Sequence, residues 1–139
     1  MAKISRSYTI SGMERLIAVA IGGAVGALLR YGIALWAGVS WQTAAGRFPI
    51  GTFVANVIGG LLIGILFQLF RQISVPLYIE TLLLTGFLGA LTTFSTFGLE
   101  IVRLYQDGFE ETAMGYLLLT NLAVILAVAI GINLTKQFA

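Results

Sequence analysis

The chain has 139 residues, of which 58% are hydrophobic and 10% charged, with eight basic and six acidic side chains and a net charge of +2. Soluble domains carry roughly 25% charge, so the composition excludes a soluble globular domain and indicates an integral membrane protein. There is no Cys and no His, which excludes disulfides, thiolate metal sites and Cys nucleophiles and removes the usual general base and transition-metal ligand; the small net charge, without a basic run, gives no basis for nucleic-acid binding.

The N-terminal stretch, residues 1–12 ("MAKISRSYTISG"), is polar and precedes a second methionine, Met13. A surface helix, a frayed tail and an alternative start site all fit it. Beyond it, four segments have the roughly 20 apolar residues that a helix needs to cross a bilayer core about 30 Å thick. They run over about 16–38, 50–70, 78–105 and 113–134, as a single membrane domain covering residues 1–139. The joints "SWQTAAGRFP", "RQISVP" and "QDGFEE" carry the breakers and charges. Pro49 and Pro76 lie just before segments two and three, where a missing N–H does no harm. The first segment starts too late and runs too long for a cleaved signal peptide. No internal repeat is visible.

Lys and Arg in short loops usually set orientation. Lys3, Arg6, Arg15, Arg71 and Lys136 fall on one side, against Arg47 and Arg103 with Arg30 at uncertain depth, a bias of 5 to 2 or 3. A start at Met13 reduces it to 3 against 2 or 3. Such a weak bias is compatible with insertion in both directions.

Segment one contains "GGAVGALLRYG", which puts Gly22, Gly26 and Arg30 on one helix face. Glycines on such a stripe admit a close neighbour. Arg30 is either an interfacial side chain reaching towards water or a fixed positive charge beside an anion path. In segment two, "GTFVANVIGGLLIG", Thr52 and Asn56 share a face with Gly60 and Gly64. Asn56 either joins helices or lines a polar path, and its NH2 offers two donors, which suits an anion.

Segment three carries "GALTTFSTFG", with Thr92, Thr93, Ser95, Thr96 and two Phe residues between glycines. This pattern favours a helix interrupted within the stretch over a straight one, in which the hydroxyls would bond to carbonyls four residues back. Irregular backbone at membrane depth is tolerated only inside protein or beside water. Freed carbonyls there make a hard-oxygen site for Na⁺ or a similar cation, and helix-end N–H groups attract anions. Phe94 and Phe97, three apart, are either core packing or a pair of ring edges whose positive rim faces an anion. Glu100 is the one acid well inside a span. Segment four places Tyr116 and Thr120 four apart, with Asn121 beside them. Donors dominate the polar stripes, whereas a cation pore calls for acids or carbonyl rings.

"GGAVGALLRYG", "GTFVANVIGG" and above all "GFLGALTTFSTFGLE" make the chain similar to the Fluc fluoride-channel family, also called CrcB. The similarity covers about Met13 to Leu134. It implies an all-α, four-span chain with a broken third helix, assembled in the cell membrane as an antiparallel dual-topology homodimer with two fluoride pores. It implies a structural Na⁺ on the carbonyls of Gly89 and Thr92. It places Asn56, Phe94 and Phe97 on the fluoride path, with Ser95 and Thr96 of the same motif. A polar track falls on Tyr116 and Thr120, a vestibule arginine on Arg30, and a Thr–Glu pair on Thr52 and Glu100. Relatives often have Ser at the position of Thr120, and Val124 stands where a second hydroxyl can occur.

The expected function is a passive fluoride channel that exports F⁻ and lowers its toxicity. A proton-coupled antiporter is the alternative, but small four-helix antiporters rely on an acid in segment one, where only Arg30 lies at depth. Without His, Cys or an acid cluster, a membrane enzyme is not expected.

Overall fold

The computed structural model describes residues 12–40 and 48–137. The N-terminal extension up to residue 11, with Lys3 and Arg6, and Arg47 of the first joint lie outside the described residues. Every regular element among the described residues is helical. These are α1 (Gly12–Ser40), α2 (Ile50–Gln72), α3 (residues 77–91), α4 (Phe94–Gln106) and α5 (Glu110–Gln137).

Helices α1, α2 and α5 each form one span, and α3 with α4 form the third, Leu77–Gln106. All four are long and apolar enough to cross a bilayer. Large apolar side chains such as Leu16, Leu28, Leu118 and Ile125 are exposed along them, as lipid-facing surfaces require, and the protein is a multi-pass membrane protein. The spans extend a few residues past the expected limits. Pro49 and Pro76 occupy the N-cap positions of α2 and α3, one residue outside the first turn.

Helix α3 is not a plain α-helix. It starts as α over Leu77–Glu80, widens to a π-helix over Thr81–Leu88 and closes with one α turn, Gly89–Leu91. The wide segment packs along α1. A Cβ on Gly26 would collide with the Phe87 carbonyl, so the glycine stripe of α1 meets bare backbone. The second close seam runs between α2 and α5, where Gly64 faces the Val128 carbonyl.

The third span breaks at Thr92 and Thr93, both extended, with φ/ψ of −85°/153° and −151°/119°. Thr93 caps α4, its hydroxyl accepting from the Thr96 N–H at 3.2 Å. Helix α4 ends in a Schellman turn: the Phe109 N–H donates to the Leu104 carbonyl at 2.8 Å and the Gly108 N–H to the Tyr105 carbonyl at 3.1 Å. Gly108 has φ +82°, a conformation that favours glycine. The turn lays α5 against α4, and Phe97, Leu104, Ala113 and Tyr116 form the buried cluster between them.

Candidate functional site

Three helices supply the polar residues around the break. Asn56, on α2, donates from Nδ2 to the Thr93 carbonyl at 3.2 Å, and its Oδ1 accepts from the Thr93 N–H at 2.8 Å. One N–H of the amide is thereby committed to backbone, so at most one remains for a ligand. From α1, Arg30 Nε donates to the Ala90 carbonyl at 3.0 Å. Its Nε is thereby tied to the backbone of the third span. The Leu88 carbonyl accepts from both the N–H and the hydroxyl of Thr92, at 3.1 and 2.9 Å.

Thr52, Glu100 and Tyr116 form a second group. The Thr52 hydroxyl donates to Glu100 Oε1 at 2.7 Å, and the Tyr116 hydroxyl to Oε2 at 2.8 Å. Both protons face an acceptor within the chain, so neither is free for an anion while these bonds hold. Tyr116 is fully buried. Its ring meets Phe97 and Phe48 edge-on, each with centroids 5.1 Å apart. Phe48 extends the cluster to Phe53, 5.6 Å away.

Phe94 and Phe97 touch, with centroids 5.7 Å apart, but their surroundings differ sharply. Phe94 is 80% exposed and Phe97 only 3%. Phe97 joins the core while Phe94, the first residue of α4, projects outward. Ser95 is also exposed, and its hydroxyl lies 3.3 Å from that of Thr93, which donates to Thr96 Oγ1 at 3.0 Å.

A cavity of about 350 Å³ opens beside the break. Asn56, Thr93, Phe94, Phe97, Thr120 and Asn121 are on its wall, as are Gly89 and Thr92. Thr120 Oγ1 is buried and has no hydrogen-bond partner among the described residues. An orphaned hydroxyl at membrane depth is costly unless a ligand or water meets it. Val124 lines the same wall and gives that end of α5 no hydroxyl. Arg30, Thr52, Glu100 and Tyr116 lie outside this lining.

Gly89 is right-handed helical, with φ −62° and ψ −32°. The nearest atom to a Cβ built there is the Leu84 carbonyl oxygen at 3.9 Å. Its own backbone therefore does not demand glycine. The sequence reading missed the glycine that matters for the break: a Cβ on Gly59 would collide with the Thr92 methyl. Gly59 stands beside Gly60 in "VIGG", one position off the Thr52–Asn56–Gly60–Gly64 stripe.

Comparisons with known proteins find relatives over most of the chain. Fluoride-specific ion channel FluC of Chloroflexus aurantiacus is 41% identical over 127 residues, covering 91% of this chain and 98% of its own. The protein of the same name from Desulfotalea psychrophila is 43% identical over 123 residues, covering 88% and 93%. That from Pseudomonas fluorescens is 39% identical over 122 residues, covering 87% and 96%. These relatives are named as channels rather than enzymes. Residues 17–132, which hold every residue of the site and the break itself, match the family described as CrcB-like protein, Camphor Resistance (CrcB), and the chain belongs to that family.

Proposed function

We propose that this protein is a passive fluoride channel of the cell membrane, exporting F⁻ and limiting its toxicity. One observation carries the reading. A largely apolar cavity at a broken membrane helix contains an orphaned hydroxyl, Thr120 Oγ1, in a chain about 40% identical to relatives named fluoride-specific channels. The cavity wall offers the hydroxyl of Thr120, the remaining Asn56 N–H and the rim of Phe94. These favour a small anion without a fixed countercharge. An internal negative potential supplies about 2.3 kcal/mol per 100 mV for each ion expelled.

The functional unit in this proposal is an antiparallel, dual-topology homodimer. Its support is the exposure of Phe94 and Gly89 on the flank of the cavity, surfaces that a second copy would cover. A structural Na⁺ between the copies fits the carbonyls at the break. Those of Leu88, Ala90 and Thr93 accept hydrogen bonds from Thr92, Arg30 and Asn56, while those of Gly89 and Thr92 accept none from a side chain among the described residues. Gly89 and Thr92 would hold the ion as hard-oxygen ligands.

The test is fluoride efflux from liposomes, read with a fluoride electrode with and without a proton uncoupler. Electrogenic efflux that needs no proton gradient is expected. Efflux driven by a pH gradient, under conditions that exclude HF leak, would instead establish the antiporter.

A further inference from the structure

We infer that Asn56 is a positioning residue: its amide clasps the Thr93 peptide and sets the shape of the break. The geometry is reciprocal. The Thr93 N–H donates to Oδ1 at 2.8 Å and the Thr93 carbonyl accepts from Nδ2 at 3.2 Å. A side-chain amide carries one donor and one acceptor in the spacing of a peptide edge, so it pairs with an extended residue as a neighbouring strand does. Thr93 is extended, with φ −151° and ψ 119°.

The clasp answers a specific deficit. In an unbroken helix the Thr93 N–H would donate to the carbonyl four residues back, and its carbonyl would accept from four residues ahead. At the break the N–H bond is lost, while Thr93, as the N-cap, still accepts the first bond of α4; a bare N–H at membrane depth costs several kcal/mol. Asn56 Oδ1 replaces the lost acceptor, and Nδ2 adds a second donor to the Thr93 carbonyl. Its reach depends on Gly59, one turn along α2, where the missing side chain admits the Thr92 methyl. The Thr93 hydroxyl meanwhile caps α4 through Thr96. Backbone and side chain of Thr93 are thus held from opposite sides, which fixes both the Thr92 carbonyl before it and the direction of Phe94 after it.

The inference concerns the cavity proposed above as the ion path, but its test does not depend on flux. Amide hydrogen exchange is followed at Thr93, with buried amides of α5 as the reference for global opening. Asn56→Leu keeps the volume and removes both partners. Asn56→Asp keeps the acceptor for the Thr93 N–H. Relative to the reference, exchange at Thr93 should rise at least about fivefold in Asn56→Leu, the equivalent of one net hydrogen bond. It should stay within about twofold in Asn56→Asp, since the same acceptor remains. Unchanged exchange in Asn56→Leu would overturn the clasp and leave Asn56 as a ligand or spacer. An equal rise at Thr93 and the α5 reference would overturn it too, because Asn56 would then support the whole fold. If neither variant folds, the wild-type chain decides: a Thr93 amide exchanging as fast as an unstructured peptide rules the clasp out, and a protected one upholds it. Fluoride flux on the same samples separately tests the proposed transport function.

Discussion

Replacing Tyr116 with Phe removes one hydroxyl and leaves the ring contacts with Phe48 and Phe97, both 5.1 Å between centroids. The lost bond is the 2.8 Å donation to Glu100 Oε2. Hydrogen bonds to charged groups contribute about 1.5–3 kcal/mol, whereas interhelical bonds in membranes average about 0.6 and reach about 1.7 kcal/mol. The short distance, the acidic acceptor and the fully buried donor place this one near the top of the membrane range. We expect Tyr116→Phe to cost about 1.5 kcal/mol, roughly tenfold in the unfolding equilibrium. Thr52→Val, which removes the 2.7 Å bond to Oε1, should cost a similar amount. The double variant should lose more than the sum, because the first deletion leaves Glu100 one donor and the second leaves it none. Unfolding in mixed lipid–dodecyl sulfate micelles, followed by circular dichroism, measures all four corners of the cycle. Single variants within about 0.3 kcal/mol of wild type, with an additive double variant, would refute the idea that these hydroxyls stabilise Glu100.

Phe94→Ile and Phe97→Ile should both collapse fluoride flux in liposomes, but only Phe97→Ile should also destabilise the fold, by about 1–2 kcal/mol, since Phe97 alone is buried; equal stabilities would contradict that division. Gly26→Val drives a side chain into the Phe87 carbonyl and should cost about 1–3 kcal/mol, visible as a lowered thermal aggregation midpoint; an unchanged midpoint would show that α1 and α3 can separate freely. Gly89→Ala has room within one chain, so it should leave helicity intact and act only on dimer stability or Na⁺ dependence. Replacing Na⁺ by a large organic cation after prolonged exchange should lower flux or loosen the dimer, and no change in either would remove Na⁺ from the proposal.

The four spans were legible because hydropathy needs only composition along the chain. The break was legible because glycine and threonine cluster in "GALTTFSTFG", and the structure places its extended residues at Thr92 and Thr93. The π-helix of Thr81–Leu88 had no local signal; it lies where the glycine face of α1 meets α3 backbone, a relation between distant segments. Periodicity paired Thr52 with Asn56 and Tyr116 with Thr120, and all four are buried, but it did not give their partners. Spacing alone does not say that Tyr116 donates to Glu100, or that Phe48, on the joint before α2, completes the aromatic cluster. The contrast between Phe94 and Phe97 was hidden for a related reason: periodicity assumes a continuous helix, and Phe94 is the first residue after an interruption.

The two extended residues also tie the third span to its neighbours. Leu77–Gln106 has 30 residues and, as one uninterrupted helix, would measure about 45 Å, ample for a bilayer. Alone in lipid, such a segment has every reason to stay continuous, because each peptide group then finds its partner within the same helix. Opening it at Thr92 and Thr93 becomes favourable only when Arg30 arrives from α1 and Asn56 from α2 to receive the released groups. The interruption is therefore stabilised by the neighbouring helices rather than by the third span alone. Isolated from those neighbours, the third span should be an unbroken rod.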